Sequence, residues 1–186
     1  HPVENLRHEP HAADLLLATG EAVDATHDLE QLTRLWQQLE PTDRRDAGVA
    51  ARAALRAVRL GSADLAREWL RPFWDRLADL DRDDRDAVAL ALFEAAPGIE
   101  PEWLPRLEAA LDSHGHESAV VVAVGVAYAD RQLWGKSRKL LEQGAAAAGL
   151  PSAVRRRSWR VLAQMARDAG DEERSLRCER AAAALE

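Results

Sequence analysis

Leu60-Gly61-Ser62-Ala63-Asp64-Leu65-Ala66 and Ala169-Gly170-Asp171-Glu172-Glu173-Arg174-Ser175 follow one pattern. Each has a turn glycine, a small residue five places later, and a small residue seven places earlier, Ala54 and Ala163. A third copy has Gly125, Tyr128 three places on and Ser137 twelve on; Ala54 to Ala66 and Ala163 to Ser175 are also twelve. Small residues at these places let the two helices of a hairpin approach closely. Leu70 and Leu141, four after the second small residue, fill the space beside it. The copies fall at 54, 125 and 163, so the gaps are 71, two repeats, and 38, one repeat with a longer connection. A degenerate copy is expected near Ala89, with the proline-bearing linker 97–101 inserted.

Helical hairpins of roughly 34 residues with small residues at the crossings resemble the tetratricopeptide pattern. Tyr128 and Trp159, four before Ala163, agree with it. The fold expected is all-α: a right-handed α-α superhelix, a tetratricopeptide-like solenoid of about nine to ten antiparallel helices. Each hairpin would bury its apolar face on the next.

Working outward, Leu29, Leu32, Leu35, Trp36 and Leu39 recur at helical spacing behind Asp28, a cap, and ahead of Pro41. Further helices are expected over 43–60, from Ser62 through Leu77, over 84–95, and from Pro101 to Gly115. The rest are 117–131, 133–148, 152–169 and from Asp171 to the end. Residues 12–25 form one helix weakened by Gly20. Pro72 lies inside the third helix, so a kink or break is expected there. Residues 1–27 read as an extension and 28–186 as stacked hairpins of a single domain.

Composition agrees. The 186 residues include 37 Ala and 26 Leu against 12 Val, 4 Thr and one Ile. A sheet core needs β-branched residues, whereas Ala and Leu lose least on entering a helix. At 47% hydrophobic and 31% charged the chain is neither disordered nor a membrane bundle. The longest apolar run, 119–129, is too short to span a bilayer and reads as a fully buried helix. The net charge of −7 argues against nucleic acid. Residues 1–112 hold 13 basic and 23 acidic side chains, and residues 113–186 hold 12 and 9. His1-Pro2 without an initiator Met suggests a piece of a longer protein.

Candidate chemistry is sparse, and no catalytic residue or metal site is assigned. Cys178, the one cysteine, excludes an internal disulfide and reads as a small packed residue. His8 and His11 could share a helix face, and His114 and His116 flank a turn glycine, but no ligand pattern completes a metal site. The carboxylates at 79, 81, 83, 84 and 86 read as a capped, solvated turn without the glycine and glutamate of a calcium loop. The six tryptophans read as core. Trp134, at a helix start, either wedges between hairpins or, partly exposed, takes part in recognition.

The segment Asp130-Arg131-Gln132-Leu133-Trp134-Gly135-Lys136-Ser137-Arg138-Lys139-Leu140-Leu141-Glu142 resembles the "QLWGKAR…LE" stretch of the HemY family. Its motif residues are Gln132, Leu133, Trp134, Gly135, Lys136 and Arg138; Ser137 stands where the family usually has alanine. Leu35-Trp36-Gln37-Gln38-Leu39 with Arg44-Arg45-Asp46, Glu102-Trp103-Leu104 and Ala169-Gly170-Asp171-Glu172 resemble other parts of that family. The resemblance runs from about Leu29 onward. It implies a non-catalytic protein-interaction scaffold associated with haem and porphyrin biosynthesis. It also implies an inner-membrane anchor in a missing N-terminal segment and a repeat domain on the cytoplasmic face. Partners would be proteins, such as haem-pathway enzymes. No cofactor is required, although a haem- or porphyrin-binding module is the alternative.

A tetratricopeptide superhelix binds partners on the concave face, lined by the first helix of each hairpin. The repeat register puts Ala51, Arg52, Leu55 and Arg59 there, then Val122, Val126 and Asp130, then Arg156, Arg157, Arg160, Gln164 and Arg167. With Arg155 the last helix is basic, suited to carboxylates or a porphyrin's propionates because guanidinium is planar and bidentate. The other reading of this helix is a solvated terminal cap.

Overall fold

Five side chains cut the chain into helices. Asp28, Asp46, Ser62, Asp81 and Asp171 each accept the backbone N–H three residues on. Each such cap stabilises its helix by about 1 kcal/mol. A computed structural model describes residues 12–185, and every described element is helical. The helices are α1 (Ala12–Asp24), α2 (Leu29–Gln38), α3 (Pro41–Arg44), α4 (Ala47–Arg59), α5 (Ala63–Trp74) and α6 (Arg82–Glu94). They continue as α7 (Leu104–His114), α8 (Ser118–Asp130), α9 (Trp134–Ala145), α10 (Ser152–Asp168) and α11 (Glu172–Ala183). Short 3-10 turns precede α6, at Leu77–Asp79, and α7, at Pro101–Trp103.

Two expectations are corrected. The helix expected over 43–60 is two, because Asp46 turns extended and its carboxylate caps the N–H of Val49 at 2.9 Å. That raises the count to eleven α-helices among the described residues. The helix expected from Ser62 through Leu77 stops at Trp74, just past Pro72. α5 runs through it and ends two residues later, so the ring sits in the last turn, where little helix remains to disrupt.

Helices α4 and α5, α8 and α9, and α10 and α11 fold back on each other as hairpins. The three close with the same turn. Ser62, Leu133 and Asp171 each donate their N–H to the carbonyl five residues back, Ala57, Tyr128 and Ala166, at 2.8 to 2.9 Å. This is a Schellman closure, which puts the preceding residue in left-handed backbone. Those residues are Gly61 (φ 96°), Gln132 (φ 61°) and Gly170 (φ 77°), each seven after the crossing residue Ala54, Gly125 or Ala163. Left-handed backbone suits glycine, so Gln132 alone of the three carries a steric cost.

Successive units stack. α6 packs on α4 and α5, α8 on α6 and α7, and α10 on α9 and α8; α1 packs on α4 at the other end. One core runs from Val23 to Val154, and a smaller one joins Leu141 and Ala145 to Leu162, Ala163 and Cys178. Alanine buries little area per residue, so this core depends on close helix approach. Ala54, Ala66, Ser137 and Ala163 are all buried, as are Leu70 and Leu141. A Cβ on Gly125 would lie 2.9 Å from Leu141 Cδ2. Tryptophans fill the gaps between units: Trp36 stacks on Trp69 at 4.6 Å, and Trp74 meets Trp103 edge-on at 6.4 Å.

Candidate functional site

The residues expected on one concave face are divided by the structure. Val122 and Val126 are buried, and so is Ala51. Helix α8 is apolar on every side, and α6, α7, α9 and α10 surround it. A side chain on Gly144 of α9 would run into Val122 Cγ1. Both valines are therefore core residues, a correction with a simple cause. A helix that is apolar all round gives no direction from which to tell a face. Leu55 is half-buried against the core, Arg59 is exposed, and exposed Asp130 accepts the N–H of Gly98 at 3.1 Å. Arg52 pairs with Asp24 and covers Gly20.

The arginines of α10 also point in different directions. Arg155 Nε donates to the carbonyl of Ala145 at 2.9 Å, and Arg156 Nη2 to that of Leu185 at 3.0 Å. Arg157 reaches α6, where Nη1 donates to Glu94 Oε2 at 2.7 Å and the guanidinium lies 4.8 Å from the Phe93 ring centre. Arg167 pairs with Glu179 and donates to Gln164 Oε1, while Gln164 donates to Asp168. No single basic surface results.

The repeat register explains the outward members. Arg160 and Gln164 stand 38 residues after Val122 and Val126, and Glu179 stands 38 after Leu141. The inner hairpin buries these positions, and the last hairpin exposes them as polar side chains. Between them lies a cleft of about 340 Å³ lined by Arg160, Ala163, Arg167, Glu179, Ala182 and Ala183.

In the 132–138 motif, Gln132 makes the left-handed turn and half-buried Leu133 precedes the helix. Trp134 is 49% exposed, so it is not a wedge. Gly135 faces open space, Lys136 lies 3.9 Å from Glu108 and 5.9 Å from the Tyr128 ring centre, and Arg138 is 3.8 Å from Glu142. Ser137 is buried and donates to the carbonyl of Gly125 at 2.7 Å. The Tyr128 hydroxyl is held above its usual pKa by burial, then by Glu108 and Asp112.

Among the other candidates, His8 and His11 lie outside the described residues. His114 is buried with Nδ1 2.7 Å from Ser113 Oγ, and its ring stacks 6.4 Å from that of His116. Burial pushes the Cys178 thiol up, which disfavours the thiolate. Among the described residues no three metal-binding side chains are grouped, and no helix is long and apolar enough to cross a membrane.

Sequence reasoning missed two buried charges. Arg67, 1% exposed, donates to the carbonyls of Ala95 and Pro97 at 2.7 Å, to that of Gly98, and to Asp64 and Glu100. It thereby fixes the α6–α7 linker. Glu117, also 1% exposed, accepts two N–H groups of Arg85, at 2.6 and 3.0 Å, and ties α6 to the start of α8. Hydrogen bonds from Arg85 hold the Glu117 carboxyl below the usual range, and those from Arg67 do the same for Glu100. Charge normally marks surface, and apart from Asp64 the partners lie about 30 residues away, so the sequence carried no local signal that either would be buried. Comparison with protein families, with curated proteins and with solved structures finds no match to this chain.

Proposed function

We propose that this chain is a non-catalytic interaction scaffold built as a right-handed tetratricopeptide-like superhelix. The supporting observation is the recurrence of one hairpin closure at one offset, Ala54 to Gly61, Gly125 to Gln132 and Ala163 to Gly170. Stacked hairpins of this kind present extended surfaces rather than enclosed reaction sites. On the resemblance of the Gln132–Arg138 segment to the HemY family, the partners are haem-pathway enzymes. The same resemblance puts the domain on the cytoplasmic face of the inner membrane, anchored by a segment outside this sequence.

The recognition surface favoured is the motif itself, because Trp134 is a large exposed aromatic and such residues dominate binding energy when a partner covers them. The test is biolayer interferometry of the chain against ferrochelatase and the other tetrapyrrole-pathway enzymes, with hemin titration in parallel. Saturable binding to one enzyme, weakened about tenfold by Trp134→Ala, about 1.4 kcal/mol, is the expected result. No binding to any of them overturns the reading. A saturable Soret shift without enzyme binding favours the haem-binding alternative instead.

A further inference from the structure

The cleft between α10 and α11 has filled counterparts elsewhere in the chain. α6 sits against both α4 and α5, and α10 sits against both α9 and α8. On α9 the supporting positions include Leu141 and Ala145, which share a core with Leu162 and Ala163 of α10. Their equivalents on α11 are Glu179 and Ala183, which line the open 340 Å³ cleft. The last hairpin thus keeps the shape of a seat for a helix while its lips are charged. Leu176 of α11 is 52% exposed in the same hairpin.

The opposite end of the stack offers a fitting occupant. α1 lies on α4 through buried Gly20 and Val23, and Leu17, Ala18, Glu21 and Ala22 are left exposed. Leu17, at 56%, is the most exposed large apolar side chain among the described residues. The charges are complementary. Arg160 and Arg167, with Glu179, line the cleft, and the exposed face of α1 carries Glu21.

We infer that the α10/α11 cleft seats α1 of a second copy of this chain, continuing the stack head to tail. Exposed Leu17 would then meet the small-residue floor of the cleft, and Glu21 would face Arg160 and Arg167. Leu176 would be covered by the arriving copy. Two different surfaces meet in such a contact, so it does not close into a symmetric dimer and adds copies with concentration. Docking of another protein's acidic helix instead predicts that the chain on its own stays monomeric.

The test is sedimentation equilibrium of the whole chain. The weight-average mass should rise with concentration past twice the 20.5 kDa of one copy, without a plateau. It should fall at about 0.5 M salt, where charge attraction is screened within about 4 Å. Leu17→Arg blocks the head and Leu176→Glu blocks the tail; both positions are exposed, so folding should be unchanged by circular dichroism. Each variant alone should stay monomeric, whereas their equimolar mixture should form a 1:1 pair. A wild-type chain that is monomeric up to about 1 mM, the weak end of specific affinity, overturns the inference. So does a plateau at two copies or a monomeric mixture. The enzyme-binding test reads Trp134 on a different helix, so either proposal can fail without the other.

Discussion

Ser137 Oγ donates a 2.7 Å hydrogen bond to the backbone carbonyl of Gly125, twelve residues earlier, and both residues are buried between α8 and α9. The bond records how close the two helices come. No Cβ separates them on the Gly125 side, and Leu141 and Leu140 occupy that space. Gly125→Val should therefore cost about 2 kcal/mol, because overpacking outweighs the gain from removing a helical glycine. Urea denaturation measures it, and an unchanged midpoint would contradict the close crossing.

Gln132 offers the opposite sign. It holds left-handed backbone (φ 61°) where the matching turns use Gly61 and Gly170. Gln132→Gly should raise stability by about 1 kcal/mol, while Gly61→Ala and Gly170→Ala should each lower it by about that much. Thermal melts of the three variants check both directions.

Glu117 makes stability depend on acid. Its carboxyl is held below the usual range by hydrogen bonds from Arg85, so the ionised form stabilises the folded state. That contribution is complete above the carboxylate's unfolded pKa, about 4.3, and disappears as pH falls through the lower folded value. Glu117→Gln should cost about 3 kcal/mol at pH 7, as expected for stranding a partner of a buried ion pair. The gap between variant and parent should shrink below about pH 4. Urea midpoints measured across pH test it; a constant gap would mean that charge is irrelevant there.

Arg67 predicts a local effect. Arg67→Met should lose about 3 kcal/mol because the carbonyls of Ala95, Pro97 and Gly98 and the carboxylate of Glu100 lose their donor. Amide exchange should quicken at Gly98 and Ile99 before it does in α4. Uniform loss of protection would instead point to global weakening.

These residues also show where the sequence could be read. Asp28, Ser62 and Asp171 announce their helices because capping is a local interaction with the next turn. The crossing residues were found because equal spacing recurs in three copies. The apolar run of α8 correctly marks a buried helix, yet projecting Val122 and Val126 onto an open face assumed that a helix is one-sided. Arg156 and Arg157 form one basic run in sequence but diverge, because neighbours on a helix point about 100° apart. Arg67 and Glu117 were unreadable because the groups that bury them, Asp64 apart, are distant in the chain.

The stacked-repeat account is tested most directly by nuclear Overhauser contacts in the labelled chain. It predicts cross-peaks between α4 and α5 at Ala54 and Ala66, between α8 and α9 at Gly125 and Ser137, and between α10 and α11 at Ala163 and Ser175. Three matching sets would establish one hairpin geometry repeated along the chain. Absence of the set in any one hairpin, with its helices still formed, would contradict the account.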